Sequence, residues 1–170
     1  MGTHDLDKIN GQIRYKAMKP EDIHFKALKQ TEEMNAAELV ELYKNDMVMK
    51  KFVPYLENAE RYPVFTDDDG VLSLPPLINS DRSKISLETK NIFIEVTATD
   101  HQKAKICLAV LAAQFSGHSE GEWKHNVEQV KITHVDAPEL NAVSPTLTYV
   151  DFDVEIAYIN SRLGINLNAE

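Results

Sequence analysis

The sequence contains a single cysteine, Cys107, in a chain of 170 residues. One cysteine cannot pair within the chain, which excludes a fold stapled by disulfides and a zinc site built from several cysteines. A chain of this length buries roughly 70% of the surface that it exposes when unfolded, so it can fold without a disulfide or a structural metal. The low cysteine content is typical of proteins in a reducing compartment.

Long apolar runs are also lacking. No stretch approaches the roughly 18 apolar residues that a membrane-spanning helix requires. The start of the chain contains neither the apolar core of a signal peptide nor an arginine-rich amphipathic stretch, so no secretory or transit signal is visible there. We therefore expect a cytoplasmic protein that does not bind a membrane.

Positive charge is in deficit, with 18 Lys and Arg residues against 27 Asp and Glu residues and a formal net charge of -9. Affinity for nucleic acids comes mainly from Lys and Arg side chains that displace counterions from phosphates. The charge balance therefore disfavours a domain that binds DNA or RNA by itself. It does not exclude a domain that a larger protein brings to a nucleic acid.

Glycine-rich phosphate-binding motifs are absent. The chain has six glycines and contains neither G-x-x-x-x-G-K nor G-x-G-x-x-G, so an ATP or dinucleotide site within it is not expected. The histidines show no His-x-x-x-His spacing, and zinc catalysis is therefore unsupported. We interpret all of them as scattered surface residues: His4, His24, His101, His118, His125 and His134.

Two further candidates for chemistry have simpler interpretations. The consecutive residues Asp67, Asp68 and Asp69 resemble a cation site in composition, but adjacent side chains in a turn point in divergent directions, so no metal site is expected there. Cys107 is expected on the core-facing side of a helix, where it acts as a small apolar residue and not as a nucleophile.

Local signals predict several elements in the first half of the chain. Asn35 with Glu38 three residues later has the spacing of a capping box, which predicts a helix that begins at Ala36. Two short apolar runs at 62–66 and 71–74 flank an Asp-Gly turn, which predicts a β-hairpin. The helix is expected to present one apolar face that comprises Leu39, Leu42, Tyr43 and Met47.

In the second half, the run 91–99 is rich in β-branched residues and predicts a strand that is buried on at least one face. Asp100 has the character of an N-cap, and the helix that follows, to about residue 115, is apolar over more than half of its surface. We therefore expect that helix to be mostly buried. The alternation over 127–133 predicts a further strand.

This mixture of elements is typical of an α/β (mixed α+β) fold, a mixed β-sheet packed with helices. An amphipathic helix that ends at Gly164, a residue suited to a left-handed cap, predicts that the chain stops inside a following module. We expect one sheet with two helices packed on it: the strands 63–66, 71–74, 92–98 and 127–133, and the helices that start near Ala36 and Lys103.

Polar side chains lie along one face of a predicted strand. Glu95, Thr97 and Thr99 alternate along the run 91–99 and share that face. A sheet with one solvated face explains this pattern. A polar pocket that orients a small polar ligand or a water explains it equally well. From the residues alone, both interpretations stay open.

Two runs of sequence carry a resemblance to a known family. They are YPVFTDDDGVLSLPPLIN at 62–79 and TKNIFIEVTATDHQKAK at 89–105. Both resemble the tRNA-editing B3/B4 region of the archaeal/eukaryotic-type beta subunit of phenylalanyl-tRNA synthetase, whose editing-domain fold is thereby implied. Ala98 departs from the family, in which Gly is expected. Similar segments flank the two runs: 4–11 and 20–26 before them, and 154–165, which resembles the first helix of the next module.

The resemblance implies an enzyme fragment that edits mischarged tRNA. A synthetase pocket built for phenylalanine rejects a ligand that merely adds a hydroxyl by only about a hundredfold, so tyrosine is mischarged. A second site that hydrogen-bonds the phenol discriminates by roughly 10⁴ or more, because a phenylalanyl ester leaves buried polar groups unpaired. The implied activity is hydrolysis of tyrosyl-tRNA(Phe).

The resemblance also implies roles for individual residues. Ser73, in the S-x-P-P run, and Thr97, two residues after Glu95, are expected to be catalytic because their hydroxyls can donate to the attacking water or the ester carbonyl. Glu95 is expected to accept the phenol O–H or, alternatively, to position the water. Val64 is expected as an apolar pocket residue. Asn79 is expected either to orient its loop or to contact the terminal adenosine.

The expected partners are the 3′ end of tRNA(Phe) and the alpha subunit, in an α2β2 heterotetramer. No cofactor is expected in this chain, because ATP and magnesium belong to the intact synthetase. The implied division is a lead-in segment at 1–30, the editing domain at 31–146 and the start of the following module at 147–170. Two alternatives stay open: a non-catalytic module of the same synthetase that binds the tRNA end or packs on a subunit, and an ordinary α/β domain that binds a small molecule.

Overall fold

The structure, a computed structural model, describes residues 1–120, 126–148 and 150–168. The strands are β1 (Gly2–Asp5), β2 (Arg14–Met18), β3 (His24–Phe25), β4 (Met34–Asn35), β5 (Tyr62–Thr66), β6 (Val71–Leu74), β7 (Ile78–Asn79), β8 (Ile92–Glu95), β9 (Val130–Ile132) and β10 (Ala142–Ser144). The α-helices are α1 (Ala36–Tyr43), α2 (His101–Ser116) and α3 (Ile156–Leu163). Short 3-10 turns lie at Leu6–Lys8, Pro20–Asp22, Met49–Lys51, Val53–Tyr55 and Pro138–Leu140.

The largest sheet has four antiparallel strands in the order β2-β5-β6-β7. The hairpin predicted from the Asp-Gly turn is confirmed as β5 and β6. In its turn, the Asp67 amide donates to the Gly70 carbonyl at 3.0 Å, and the Asp67 carboxylate accepts from the amides of Asp69 and Gly70. Gly70 has a φ of 137°, a region that other residues avoid. Local turn chemistry therefore fixes this hairpin.

The hydrophobic core lies between this sheet and α1. The predicted capping box is confirmed, because the Asn35 side chain accepts from the Glu38 amide and the Glu38 carboxylate accepts from the Asn35 amide, both at 2.9 Å. Leu42 and Met47, expected on the apolar face, are exposed. The buried residues of the core include Ile23, Phe25, Leu39, Val40, Tyr43, Leu56, Tyr62, Val64, Leu74 and Leu77.

The mixed fold class is confirmed, but the single sheet is wrong. Strand β8 pairs antiparallel with β1, and β9 pairs with β10, so neither belongs to the sheet of the hairpin. β8 also ends at Glu95, which leaves Thr97 beyond the strand. The physical reason is that alternation marks a segment as a strand without identifying its partner. Here β1 supplies a pairing edge from about ninety residues earlier in the sequence.

Helix α2 begins where it was predicted, with Asp100 as N-cap accepting from the Lys103 amide at 3.1 Å. The expectation that it is mostly buried is wrong: Ile106 and Val110 are 55% and 51% exposed. Cys107 is exposed as well and does not face the core. No element among the described residues covers this side of α2, and an apolar helix is buried only where a partner surface exists.

Helix α3 confirms the predicted C-terminal helix, since Gly164 caps it in the left-handed conformation with a φ of 66°. None of the helices in the described parts of the chain combines the length and the apolar character needed to cross a bilayer. Of the histidines, His125 lies outside the described residues. His4 is fully buried, so its interpretation as a surface residue is wrong.

Candidate active site

A row of four side chains crosses one face of the four-stranded sheet. Tyr15 pairs with Phe65, Phe65 with Ser73, and Ser73 with Asn79. Residues directly opposite each other on paired strands point to the same side. The four side chains therefore share one face of the sheet. The aromatic rings of Tyr15 and Phe65 lie at one end of the row, and the polar groups of Ser73 and Asn79 lie at the other.

Glu95 lies over the polar end of this row. It ends β8, where the register pairs it with Gly2 of β1, and it is 6% exposed. The Ser73 hydroxyl donates to Glu95 Oε1 at 3.0 Å. Glu95 Oε2 is buried and has no hydrogen-bond partner among the described residues. The carboxylate thus has one oxygen held by the protein and one without a partner.

Beside Glu95 lies His4, which has no exposed surface. Its Nδ1 is 2.7 Å from the hydroxyl of Ser83, which is also fully buried. Its Nε2 is 4.0 Å from Glu95 Oε1 and has no hydrogen-bond partner in the part of the chain that the structure describes. A second row of side chains, the polar row, is therefore buried and joins β1, β8 and β6. It consists of Ser83, His4, Glu95 and Ser73.

The backbone of Gly2 lies against this polar row. A Cβ atom at Gly2 would be 2.9 Å from His4 Nε2 and 3.0 Å from Asn79 Nδ2, and it would also contact Glu95 Oε1. Three polar groups from three different strands therefore converge above one glycine. A side chain at this position would occupy the space between them.

A small pocket opens beside these groups. It has a volume of about 40 Å³, and Glu95, Ser73 and Asn79 line it together with the residues of the β6–β7 turn and Met1. A cavity of this size holds about one or two water molecules. In this conformation the pocket accepts water, and a larger ligand requires its rim to move.

The negative charge of Glu95, at the polar end of the row, affects Tyr15 at the aromatic end. The rings of Tyr15 and Phe65 lie 4.7 Å apart between centroids, at an angle of 34°. Partial burial raises the pKa of Tyr15, and the negative charge of Glu95 raises it further. The Glu95 carboxylate therefore acts electrostatically along this face of the sheet.

The three consecutive aspartates serve the fold. Asp67 accepts from Arg82 Nη2 at 2.6 Å, Asp68 from Arg14 at 2.6 Å, and Asp69 from the side chain of Asn10 at 2.9 Å. Burial alone would raise the pKa of Asp67, but hydrogen bonds from the Asn10 amide and Arg82 outweigh it and hold that pKa below its ordinary value. Residues 1–120, 126–148 and 150–168 contain no cluster of three or more His, Cys, Asp or Glu side chains suited to a metal ion.

The structure brings together three of the five site residues named from the sequence. Ser73, Glu95 and Asn79 line the pocket. Val64 directly precedes Phe65 in β5, so its side chain points to the opposite face of the sheet, where it is fully buried in the core. Thr97 is partly buried, two residues beyond the end of β8, and it is not among the described residues that line the pocket.

Sequence reasoning missed His4, Gly2 and Tyr15. All three precede the runs that carry the resemblance, in strands β1 and β2. Their burial depends on pairing with β8 and β5, and no local signal encodes these pairings. The one available sign was the similarity of the segment at 4–11, which starts with His4.

The chemistry that this geometry supports is recognition of a small hydrogen-bonding group beside a bound water. A buried carboxylate oxygen can only accept, so it favours a ligand with an O–H or N–H donor. The adjacent Ser73 hydroxyl donates to the same carboxylate, and its lone pairs remain able to accept from a water. A polar pocket of this kind suits hydrolysis of an activated ester.

Comparison with known proteins defines the class. A family model described as the B3/4 domain matches residues 1–108. The chain therefore belongs to the B3/4 domain family. It is 43% identical over its whole length to the cytoplasmic phenylalanine–tRNA ligase beta subunit of Arabidopsis thaliana and 40% identical to the phenylalanine–tRNA ligase beta subunit of Homo sapiens. The resemblance to this beta subunit is confirmed.

A solved structure agrees with the sequence relatives. An N-terminal fragment of the phenylalanyl-tRNA synthetase beta subunit from Pyrococcus horikoshii superposes with a TM-score of 0.75 at 31% identity, over 98% of this chain and 45% of that one. The chain spans 28% of the length of the Arabidopsis and human beta subunits. The similarity therefore covers one part of a larger subunit.

Proposed function

We propose that this chain is the editing module of a phenylalanine–tRNA ligase and that it hydrolyses tyrosyl-tRNA(Phe). The observation that carries the proposal is the buried Glu95 carboxylate, fixed by Ser73 through one oxygen and unpartnered at the other, on the wall of a pocket. The similarity to beta subunits of this ligase supports the choice of substrate.

The free oxygen of Glu95 suits a phenol. A tyrosyl side chain donates its O–H to the carboxylate, whereas a phenylalanyl side chain leaves the same oxygen buried and unpaired. Leaving a buried acceptor unpaired costs about 1–3 kcal/mol, and more for a charged group. Preference for tyrosine over phenylalanine therefore follows from an acceptor that the protein itself does not satisfy.

Hydrolysis needs little beyond a positioned water, because an aminoacyl ester is already activated. In the proposal, Ser73 donates to Glu95 and holds the water through a lone pair, Thr97 holds the water or donates to the developing oxyanion, and no side chain forms a covalent intermediate. Ser73 is on the pocket wall. Thr97 follows Glu95 by two residues, just beyond the end of β8, and is assigned its role from the resemblance.

Asn79 and Val64 complete the residues assigned from the resemblance. Asn79 lines the pocket opposite Ser73, where its amide can contact the ligand or the terminal adenosine. Val64 packs in the core behind β5, so its contribution is to the stability of the sheet that carries the pocket. Segment 1–30 supplies Gly2, His4 and Tyr15, residues 31–146 carry the editing domain, and residues 147–170 begin the next module.

In the whole protein the partners are the 3′ end of tRNA(Phe) and the alpha subunit, in a cytoplasmic α2β2 assembly. Activation of phenylalanine with ATP and magnesium takes place outside this chain. The net charge of -9 is compatible with this division, because the module receives only the aminoacylated end while other parts of the synthetase hold the tRNA.

The small volume of the pocket favours a second candidate, a non-catalytic module that binds the tRNA end or packs against another subunit. About 40 Å³ is less than a phenol ring occupies, so catalysis requires the rim to open. The two candidates differ in a single measurable property, which is turnover of the ester.

The experiment that tests the proposal compares deacylation of tyrosyl-tRNA(Phe) and phenylalanyl-tRNA(Phe) by this chain, with the intact synthetase and a protein-free reaction as controls. We expect faster loss of tyrosine than of phenylalanine in both protein samples. Equal rates for the two esters in the chain and in the intact synthetase would rule the proposal out. Activity in the synthetase alone would show that the module needs its neighbours.

A further inference from the structure

We propose that His4 is a second specificity residue, whose Nε2–H donates to the phenol oxygen while Glu95 accepts the phenol hydrogen. The inference rests on the proposed function and deepens it. The ligand hydroxyl would then have two protein partners, a hydrogen-bond donor on β1 and an acceptor on β8.

The first support is the pair of unpartnered atoms. His4 Nε2 and Glu95 Oε2 are both buried, and neither has a hydrogen-bond partner among the described residues. Buried polar groups are nearly always satisfied in folded proteins, and those that are not need an explanation. Nε2 lies 4.0 Å from the other oxygen of the same carboxylate, Oε1, so the two unpartnered atoms belong to one buried cluster and can share one ligand group.

The second support is the orientation of the imidazole. Glu95 Oε1 lies 4.0 Å from Nε2, and a negative oxygen at that distance favours a hydrogen on the nitrogen that faces it. Nδ1 then accepts the hydrogen of the Ser83 hydroxyl, 2.7 Å away. The neighbour of a histidine sets its tautomer in this way. The Ser83 hydroxyl is compatible with this tautomer because it can act as the donor, and Nε2 then keeps its hydrogen on the side of Glu95.

The third support is the close approach of the Gly2 backbone to the polar groups. Gly2 and His4 are two residues apart on β1, so they face the same side of the strand. A Cβ atom at Gly2 would lie within 3.0 Å of His4 Nε2 and Asn79 Nδ2 and would clash with Glu95. The lack of a side chain at Gly2 therefore allows two nitrogens and a carboxylate from three strands to lie close together.

A phenol matches this set of groups. Its oxygen donates one hydrogen, for which Glu95 is the acceptor, and accepts through its lone pairs, for which His4 is a donor. Phenylalanine offers neither function, and an O-methyl ether offers only the acceptor. A site with both partners therefore ranks tyrosine above both O-methyltyrosine and phenylalanine.

A purely structural role for His4 makes a different prediction. In that role the ring packs near Phe93, with 6.1 Å between centroids, and anchors β1 through Ser83. Its removal would then slow hydrolysis of every ester by the same factor. The ratio of the tyrosyl rate to the phenylalanyl rate separates the two roles, because it cancels a general loss of folded enzyme.

The experiment measures that ratio for the full chain and for the intact synthetase that contains it, using tRNA(Phe) charged with tyrosine, O-methyltyrosine or phenylalanine. His4→Leu keeps the size of the side chain and removes the donor, so we expect the ratio to fall by about tenfold or more with little change in the phenylalanyl rate. His4→Gln restores a donor and is expected to recover part of the ratio. The matched control is His24→Leu, at an exposed histidine of β3.

Ser83→Ala is the variant that keeps the imidazole and removes the hydroxyl that holds its Nδ1. We expect a smaller loss of the ratio than in His4→Leu. Thermal unfolding followed by circular dichroism confirms that each variant is folded. An unchanged ratio in His4→Leu, or equal slowing of all three esters, overturns the inference while the wild-type preference for tyrosine still supports editing. Absence of that preference in the wild type overturns both.

Discussion

Ser73 Oγ donates to Glu95 Oε1 at 3.0 Å and thereby joins the four-stranded sheet to the separate pair of strands β1 and β8. Both residues are buried, and they belong to the two runs of sequence that first indicated the family. The bond gives the two carboxylate oxygens different environments. One is committed to the protein, and the other is the acceptor on which the proposed specificity depends.

Replacement of Glu95 by Ala tests whether this acceptor recognises the phenol. We expect the ratio of tyrosyl to phenylalanyl hydrolysis rates to fall by about 10² or more, because the charged acceptor that distinguishes the two side chains is gone. The measurement is deacylation of both esters under single-turnover conditions. Glu88→Ala, at an exposed residue, is the control. If Glu95 positions the water instead, both rates fall by the same factor.

Gly2→Ala tests the close approach of β1 to the polar groups. The new Cβ would lie 2.9 Å from His4 Nε2 and 3.0 Å from Asn79 Nδ2, so β1 or Glu95 has to shift. Overpacking of this kind costs about 1–3 kcal/mol, and we expect a lower melting temperature together with slower hydrolysis of the tyrosyl ester. Gly117→Ala is a matched control, since its Cβ would meet nothing closer than 3.5 Å. Equal melting temperatures for the two variants would contradict the prediction.

The ion pair between Asp67 and Arg82 predicts a dependence of stability on pH. The pKa of Asp67 is lowered in the folded protein from an ordinary value of 3.8. A lowered carboxyl pKa stabilises the folded state in full above the unfolded value, and this stabilisation is lost as the pH falls towards the folded value. Urea unfolding between about pH 6 and pH 2 measures the effect.

In Arg82→Ala we expect a smaller fall in the free energy of unfolding over this range, because one of the groups that lower the pKa of Asp67 is removed. Arg61→Ala is the control, since Arg61 is exposed and donates only to the Ala17 carbonyl among its described contacts. An identical acid dependence in wild type and Arg82→Ala would show that the ion pair does not contribute.

Val64→Ala separates a role in the pocket from a role in the core. Val64 is fully buried on the core face of β5, so truncation leaves a cavity and costs about 1–3 kcal/mol. We expect a lower midpoint of urea unfolding and an unchanged ratio of tyrosyl to phenylalanyl hydrolysis. A changed ratio at wild-type stability would instead place Val64 among the residues that contact the ligand.

The elements that the sequence predicted well are those with local physical causes. The capping box of Asn35 and Glu38, the Asp-Gly turn of the hairpin and the cap at Gly164 each act within a few residues. The family resemblance then brought Ser73, Glu95 and Asn79 to one pocket.

The features that could not be predicted depend on contacts between residues that are far apart in the sequence. The pairing of β1 with β8, the burial of His4 and the exposure of α2 are set by which surfaces meet, and periodicity does not encode that. The apolar pattern of a helix such as α2 indicates only that some surface must cover it. The partner itself is not among the residues that the structure describes.

The pairing of β1 with β8 has a consequence for how the protein folds. Gly2 pairs with Glu95, and the amides of Asp5 and Leu6 donate to the carbonyls of Ser83 and Asn91, so the first strand completes its contacts only with residues about eighty to ninety positions later. Contacts of such long sequence separation carry a high loop-closure cost and tend to form late. During synthesis, β1 leaves the ribosome long before its partner does. We therefore expect the polar row of His4 and Glu95 to assemble after the hairpin and α1, and the proposed ester hydrolysis would then report on the completion of folding in a way that the local elements cannot.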